Sequence, residues 1–282
     1  MGTGQVSKVW RKADGSRGFW RRVVKGDVGR PENRFPRYAY PRGALWGLAV
    51  DLLGRRSRSF RGDALACVRL LEPPLKVYGA ENISREGPVL LVFNHYVRPG
   101  FRAWWMALAL AAVIPEDVHF VMTAELTFPG KWYGSVGRVG SRWLLQRLAR
   151  VYGFTTMPPM PPRRRDLEAR AHAVRQVLTF VRRNPQAILA IAPEGGDQPD
   201  GVLDWPPAGA GRFLALLAEA GYPLLAVGIY EEDGCLCLRF GRVWTLESPA
   251  GLSPDERDRH VAAQVMRAIA QQLPARLRGV FA

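Results

Sequence analysis

The chain has 282 residues, 48% of them hydrophobic and 23% charged, with a net charge of +15. Its length and apolar content suit one sizeable domain with an N-terminal extension better than two equal domains. Three cysteines, Cys67, Cys235 and Cys237, none in a CxxC pair, argue against a disulfide framework or a zinc ribbon, and the charge asks for a polyanionic partner.

Residues 1–65 carry 15 lysines and arginines against 5 acidic residues, interleaved with aromatics such as Trp10, Trp20, Tyr38, Tyr40 and Trp46. Cations mixed with large rings suit a bilayer interface, where the charges meet lipid phosphates and the rings sit at headgroup depth. The same composition also fits a solvated leader. The division expected is a basic aromatic extension over 1–65, in contact with an anionic membrane surface, and a domain over 66–282. The opening MGTGQVSKVWRKADG lacks the apolar core of a secretory leader, so the expected location is cytoplasmic, peripheral to the inner face of the cell membrane. No stretch reaches the ~20 apolar residues of a spanning helix. Zinc-finger spacing, an RNP-like motif and a helix-turn-helix are all absent, which sets nucleic acid aside as the partner.

From residue 75 onward, apolar runs alternate with helical periodicity. Strands are expected at Pro88–Phe93, Val118–Thr123, Ala187–Ala192 and Leu224–Tyr230, each an unbroken apolar run of the kind found in a sheet covered on both faces. A further strand, Leu236–Phe240, follows the turn Glu232-Asp233-Gly234. Ala103–Ile114 is too short to span a bilayer and reads as a buried or interfacial helix. Met157–Arg165, with four prolines, reads as a loop. Asp166–Arg183 places Leu167, Ala171, Val174, Leu178 and Val181 on one face of a helix. Gly209–Ala220 is a second helix, and Ser253-Pro254-Asp255-Glu256 opens a third with a capping box. Strands alternating with helices make the fold α/β, a mostly parallel central sheet flanked by helices.

Two polar segments directly follow predicted buried strands, where ligand sites of open α/β sheets collect. The first is Asn94-His95-Tyr96-Val97-Arg98-Pro99-Gly100. The second is Pro193-Glu194-Gly195-Gly196-Asp197. A histidine at a sheet mouth can act as a general base, because its ordinary pKa lies near neutrality. Either segment alone also fits an ordinary loop.

Together and in order, these segments resemble the phospholipid/glycerol acyltransferase family, whose members carry Asn-His-x4-Asp after one strand and Phe-Pro-Glu-Gly-Thr-Arg after a later one. The resemblance extends over roughly residues 75–245 and includes Asp200-Gly201, Pro207-Ala208-Gly209 and the strand opening Tyr222-Pro223-Leu224. It implies an O-acyltransferase with His95 as base, removing the proton of an acceptor hydroxyl that attacks the thioester of acyl-CoA or acyl-carrier protein. It also implies an acceptor site shaped by Asn94, Pro193, Glu194, Gly195 and Gly196, with no metal or redox cofactor. Gly100 stands where the family has its orienting aspartate, while Gly196 and Asp197 replace its threonine and arginine. Asp197 is the expected substitute orienter, and Arg98, Arg102 or the run Arg163-Arg164-Arg165 are expected to contact phosphate. These departures leave two functions open: an acyltransferase for lysophospholipid, glycerol-phosphate or glycolipid acceptors, or a catalytically impaired member of the fold that binds lipids or acyl chains.

Overall fold

A computed structural model of the chain describes residues 35–83, 87–126, 134–160, 163–196, 201–247 and 251–282. Seven strands form one sheet: β1 (Lys76–Tyr78), β2 (Val89–Phe93), β3 (Val118–Thr123), β4 (Thr155–Met157), β5 (Ile188–Ile191), β6 (Leu224–Glu232) and β7 (Cys235–Trp244). Among the described residues seven α-helices surround it: α1 (Arg42–Gly54), α2 (Phe60–Val68), α3 (Trp104–Val113), α4 (Gly134–Tyr152), α5 (Leu167–Arg183), α6 (Ala210–Glu219) and α7 (Pro254–Ala270).

The sheet order is β1-β7-β6-β2-β5-β3-β4. Five neighbouring strands, β6 to β4 in that order, run parallel, while β7 is antiparallel to β6 and β1 follows β7. Every residue of β2 and β5 is buried, as their unbroken apolar sequences require of strands covered on both faces. The β6–β7 hairpin turns through Asp233 and Gly234, both at positive φ, as a two-residue hairpin turn of the mirror type demands.

Local chemistry sets the helix ends. At the start of α7, Ser253 Oγ accepts from the Glu256 backbone N–H and the Glu256 carboxylate accepts from that of Ser253, with Pro254 in the first turn. Helix α6 has no cap of its own. The carboxylate of Asp258, buried on α7, accepts from the backbone N–H groups of Gly209 and Arg212 at 2.7 Å each, so α7 supplies the missing cap. The two helices therefore hold one another in place beside β6.

Much of the described stretch before residue 65 packs against the rest of the domain. Arg37 exchanges backbone hydrogen bonds with Glu72, Tyr38 packs against Phe101 and Trp105, and α2 buries Ala64 and Cys67 in the core. Basic and aromatic composition describes a packed strap as well as it describes a leader. Residues 1–34 lie outside the described residues. Helix α4, with β1 and β4, adds to the expected elements. Its opening run of glycine and serine lowers helix propensity, and packing overrides that weak local preference.

Candidate active site

Strands β2 and β5 are parallel neighbours in register from Val89 opposite Ile188 to Val92 opposite Ile191. Their carboxyl ends therefore deliver the two polar segments side by side. The backbone N–H of His95 donates to Glu194 Oε2 at 2.7 Å, and the backbone N–H of Asp204 donates to Glu194 Oε1 at 3.4 Å. Glu194 thus buckles together the loop after β2, the loop after β5 and the segment leading to α6.

The neighbours of His95 are fixed just as firmly. The side chain of Asn94 clips onto β6, with Nδ2 donating to the Ile229 carbonyl at 2.8 Å and Oδ1 accepting the Ile229 N–H at 2.7 Å. Beyond His95, Glu231 at the end of β6 gathers the loop. Its carboxylate accepts from Tyr38 Oη at 2.6 Å, from Tyr96 Oη at 3.1 Å, and from both Nε and Nη2 of Arg98. Glu231 is nearly buried, and burial together with this bond drives the Tyr38 hydroxyl pKa strongly upward, which keeps it a donor. Gly201, at φ +65°, lies so close to the same loop that a Cβ there would stand 2.5 Å from the Val97 carbonyl oxygen. Only glycine fits that approach without a shift.

Arg98, expected to contact phosphate, is held by internal partners. Its guanidinium is forked onto Glu231, and its remaining Nη1 donates to the Pro99 carbonyl. A partner 133 residues away is invisible to motif reading. Arg102 is exposed, with its guanidinium over the Trp104 ring, and pairs with no carboxylate among the described residues. Arg163 bonds to Glu125 and Asp166, which engages the first arginine of the Arg163–Arg165 run. Pro193 and Glu194 are buried, whereas Gly195 and Gly196 line the outer side of the turn. Gly100 is exposed at φ +82°, and a Cβ there would meet only Arg98 Nη1 within 4 Å, at 3.5 Å. Asp197 lies outside the described residues.

Burial lifts the Glu194 carboxyl from its ordinary 4.5 to about 7, a rise opposed by the two backbone donors. The folded protein therefore keeps this proton up to about pH 7, while the unfolded chain releases it near pH 4.5. Between those values rising pH costs stability, a few kcal/mol in all at ~1.4 kcal/mol per pH unit. Urea titrations of wild type and Glu194→Gln at pH 4.5 and pH 7.5 test this. The difference in unfolding free energy should move against the wild type at the higher pH, and an unchanged difference would refute the assignment.

His119 behaves in the opposite sense. It stacks on Phe180 with ring centroids 3.8 Å apart, its Nε2 lies 2.9 Å from Thr155 Oγ1, and burial lowers its pKa to about 4. It is a neutral packing residue. Among the described residues no three His, Cys, Asp or Glu side chains converge as metal ligands.

Strands β2 and β5 thus present the Asn-His loop and the Pro-Glu-Gly loop at one end of the sheet. The acyltransferase family model matches residues 74–230, more than half of the chain, and the protein belongs to the acyltransferase family. A solved structure similar to it is the 1-acyl-sn-glycerophosphate (LPA) acyltransferase PlsC from Thermotoga maritima, 15% identical over 90% of this chain and 87% of that one, with a TM-score of 0.46. No curated protein matches the sequence.

Proposed function

We propose that the protein is an O-acyltransferase that moves a fatty acyl group from acyl-CoA or acyl-carrier protein to a hydroxyl of a lysophospholipid, glycerol-phosphate or glycolipid acceptor at an anionic membrane surface. The observation that supports this reading is the bond from the His95 backbone N–H to Glu194, which holds the loop of the candidate base against the Pro-Glu-Gly turn. His95 removes the hydroxyl proton as the oxygen attacks the thioester carbonyl. The tetrahedral intermediate then expels the thiolate, which takes that proton from the imidazolium. Glu194 directs both carboxyl oxygens at backbone donors, so its role in this reading is to hold the loops, and His95 is the group that moves the acceptor proton. Asp197 is the residue we assign to orient His95, in the role of the missing motif aspartate. With Arg98 engaged by Glu231, Arg102 is the remaining cation of the first loop for an acceptor phosphate.

The test is a mass-spectrometric screen of purified protein with acyl-CoA donors against lysolipid, glycerol-phosphate and polyol acceptors. An acylated product released together with free CoA is the expected result. Gly100 favours a second reading, since a glycine cannot orient a base: a member of the fold that binds lipids without turning them over. Binding of lysolipid with no product from any donor would select that reading.

A further inference from the structure

Helices α1 and α4 leave apolar stripes uncovered on the outside of the domain. Trp46, Val50 and Leu53 recur on one side of α1 and are exposed, Trp46 by 73%. No residue of α1 is buried. On α4, Val136, Val139 and Trp143 repeat the pattern and are exposed by 78%, 72% and 54%. Exposed apolar residues are common singly, but two neighbouring helices that turn tryptophan and aliphatic side chains outward make a patch that marks an interaction surface. Among the described residues no helix is long and apolar enough to cross a membrane.

The helices are joined where α1 ends. Arg147 of α4 donates from Nε to the Leu52 carbonyl at 2.8 Å and from Nη2 to that of Leu53 at 3.4 Å. Beside that junction a cleft of about 80 Å³ is lined by Arg55, Arg147, Arg150 and Val151. No carboxylate among the described residues pairs with any of these three arginines. Arg147 already answers the carbonyls that form the negative end of the α1 dipole. That end amounts to roughly half an elementary charge, against three guanidinium groups, so the cleft stays cationic. The only acid of α1, Asp51, is taken by Arg58. Three guanidinium groups with no carboxylate partner among the described residues, around a phosphate-sized space, are the counterpart of an anionic headgroup.

We propose that the α1–α4 surface docks on the bilayer, with the arginine cleft receiving the phosphate of an anionic phospholipid and the flanking stripes entering the headgroup and acyl boundary. Interfacial helices bind by this pairing of buried apolar area with electrostatic attraction, and tryptophan favours that depth. Helix α4 is also tied to the active-site end of the sheet, since Ser141 Oγ accepts from the Leu126 N–H, just past the carboxyl end of β3. Docking there brings the His95 loop to the lipid surface. The proposal rests on the acyltransferase reading for the choice of a bilayer as partner, but it is measured without turnover.

The test is co-sedimentation of the full chain with vesicles of phosphatidylcholine containing phosphatidylglycerol, set against vesicles of phosphatidylcholine alone. Wild type should favour the anionic vesicles, and Arg55→Ala/Arg150→Ala should bind them about thirtyfold more weakly. Trp46→Ala/Trp143→Ala should lose at least about tenfold on both vesicle types. Arg259→Ala/Arg267→Ala, the same loss of charge on α7, should lose much less. Circular dichroism and thermal melting confirm that each variant is folded. Wild-type levels of binding by either of the first two folded variants would overturn the proposal. It would also be overturned if inorganic phosphate occupied the cleft while the arginine variant kept its vesicle binding, which would make the cleft a free-anion site. Light scattering that showed a dimer dissolved by the tryptophan variant, with no vesicle binding by wild type, would assign the face to a second copy instead. Vesicle binding without acyl transfer would count against the acyltransferase reading alone.

Discussion

Replacement of His95 by alanine is expected to lower acyl transfer by ~10²- to 10⁴-fold, the loss typical of a removed general base. The loop should survive, because the bond to Glu194 comes from the His95 backbone and the clamps on either side come from Asn94, Tyr96 and Arg98. The variant should therefore melt near the wild-type temperature while its rate collapses, and the pairing of those two readouts identifies a chemical role. The other three histidines give the controls. His172 is exposed on α5, and His260 is exposed on α7, where its ring meets the Gln264 side chain. His172→Ala and His260→Ala should leave the rate nearly unchanged. His119→Ala should cost stability through lost packing against Phe180. If wild type transfers acyl groups and His95→Ala keeps most of that rate, the mechanism is wrong.

Glu231 carries the largest expected effect on stability. Its carboxylate answers a guanidinium and two phenolic hydroxyls with its side chain almost sealed from water, at 2% exposure against 15% for that of Arg98. Removing one partner of such a pair leaves the other charge stranded and costs about 3–5 kcal/mol. Glu231→Ala should lose that much in a urea titration, and the loop after His95 should loosen with it. Arg98→Met in the same chain should restore much of the loss, because the stranded charge goes as well. A cost below about 1 kcal/mol for Glu231→Ala would show that the pair contributes little. Failure of the double variant to recover would show that packing of the carboxylate, not charge balance, is what matters.

The central strands and α7 were legible because each has a purely local cause. A strand buried on both faces must be apolar without interruption, and a capping box lies within four residues. Helix α4 was not legible, since Gly134, Gly137 and Gly140 weaken the helical signal and its support comes from Leu52, Leu53 and Leu126, far away in sequence. The Asn-His and Pro-Glu-Gly segments could be recognised as motifs, but their contact depends on the parallel pairing of β2 with β5, which sequence patterns do not specify. Arg98 stood out as a cation. Glu231 did not stand out at all, because a glutamate that ends an apolar strand looks like any residue at a strand edge until Arg98 and the two tyrosines are seen around it. The packing of residues 35–65 was hidden for the same reason, since Tyr38 finds its partner 193 residues later.

The clip between Asn94 and Ile229 joins residues 135 apart, and β2 has its two sheet partners in β5 and β6, with none nearby in the chain. On the ribosome, the segment bearing His95 must therefore wait for another 135 residues to be added before its last backbone partners exist. At ~5–20 residues per second that is on the order of ten seconds of synthesis, during which an apolar strand destined for the middle of the sheet stands with open edges. A shortened transcript ending before β6 would yield a chain that carries every residue of both motifs and still lacks a site. Topologies of this kind fold slowly, because distant segments must meet before any contact rewards the meeting. The strand that carries the candidate base is thus also one that stands open to misassembly in the nascent chain.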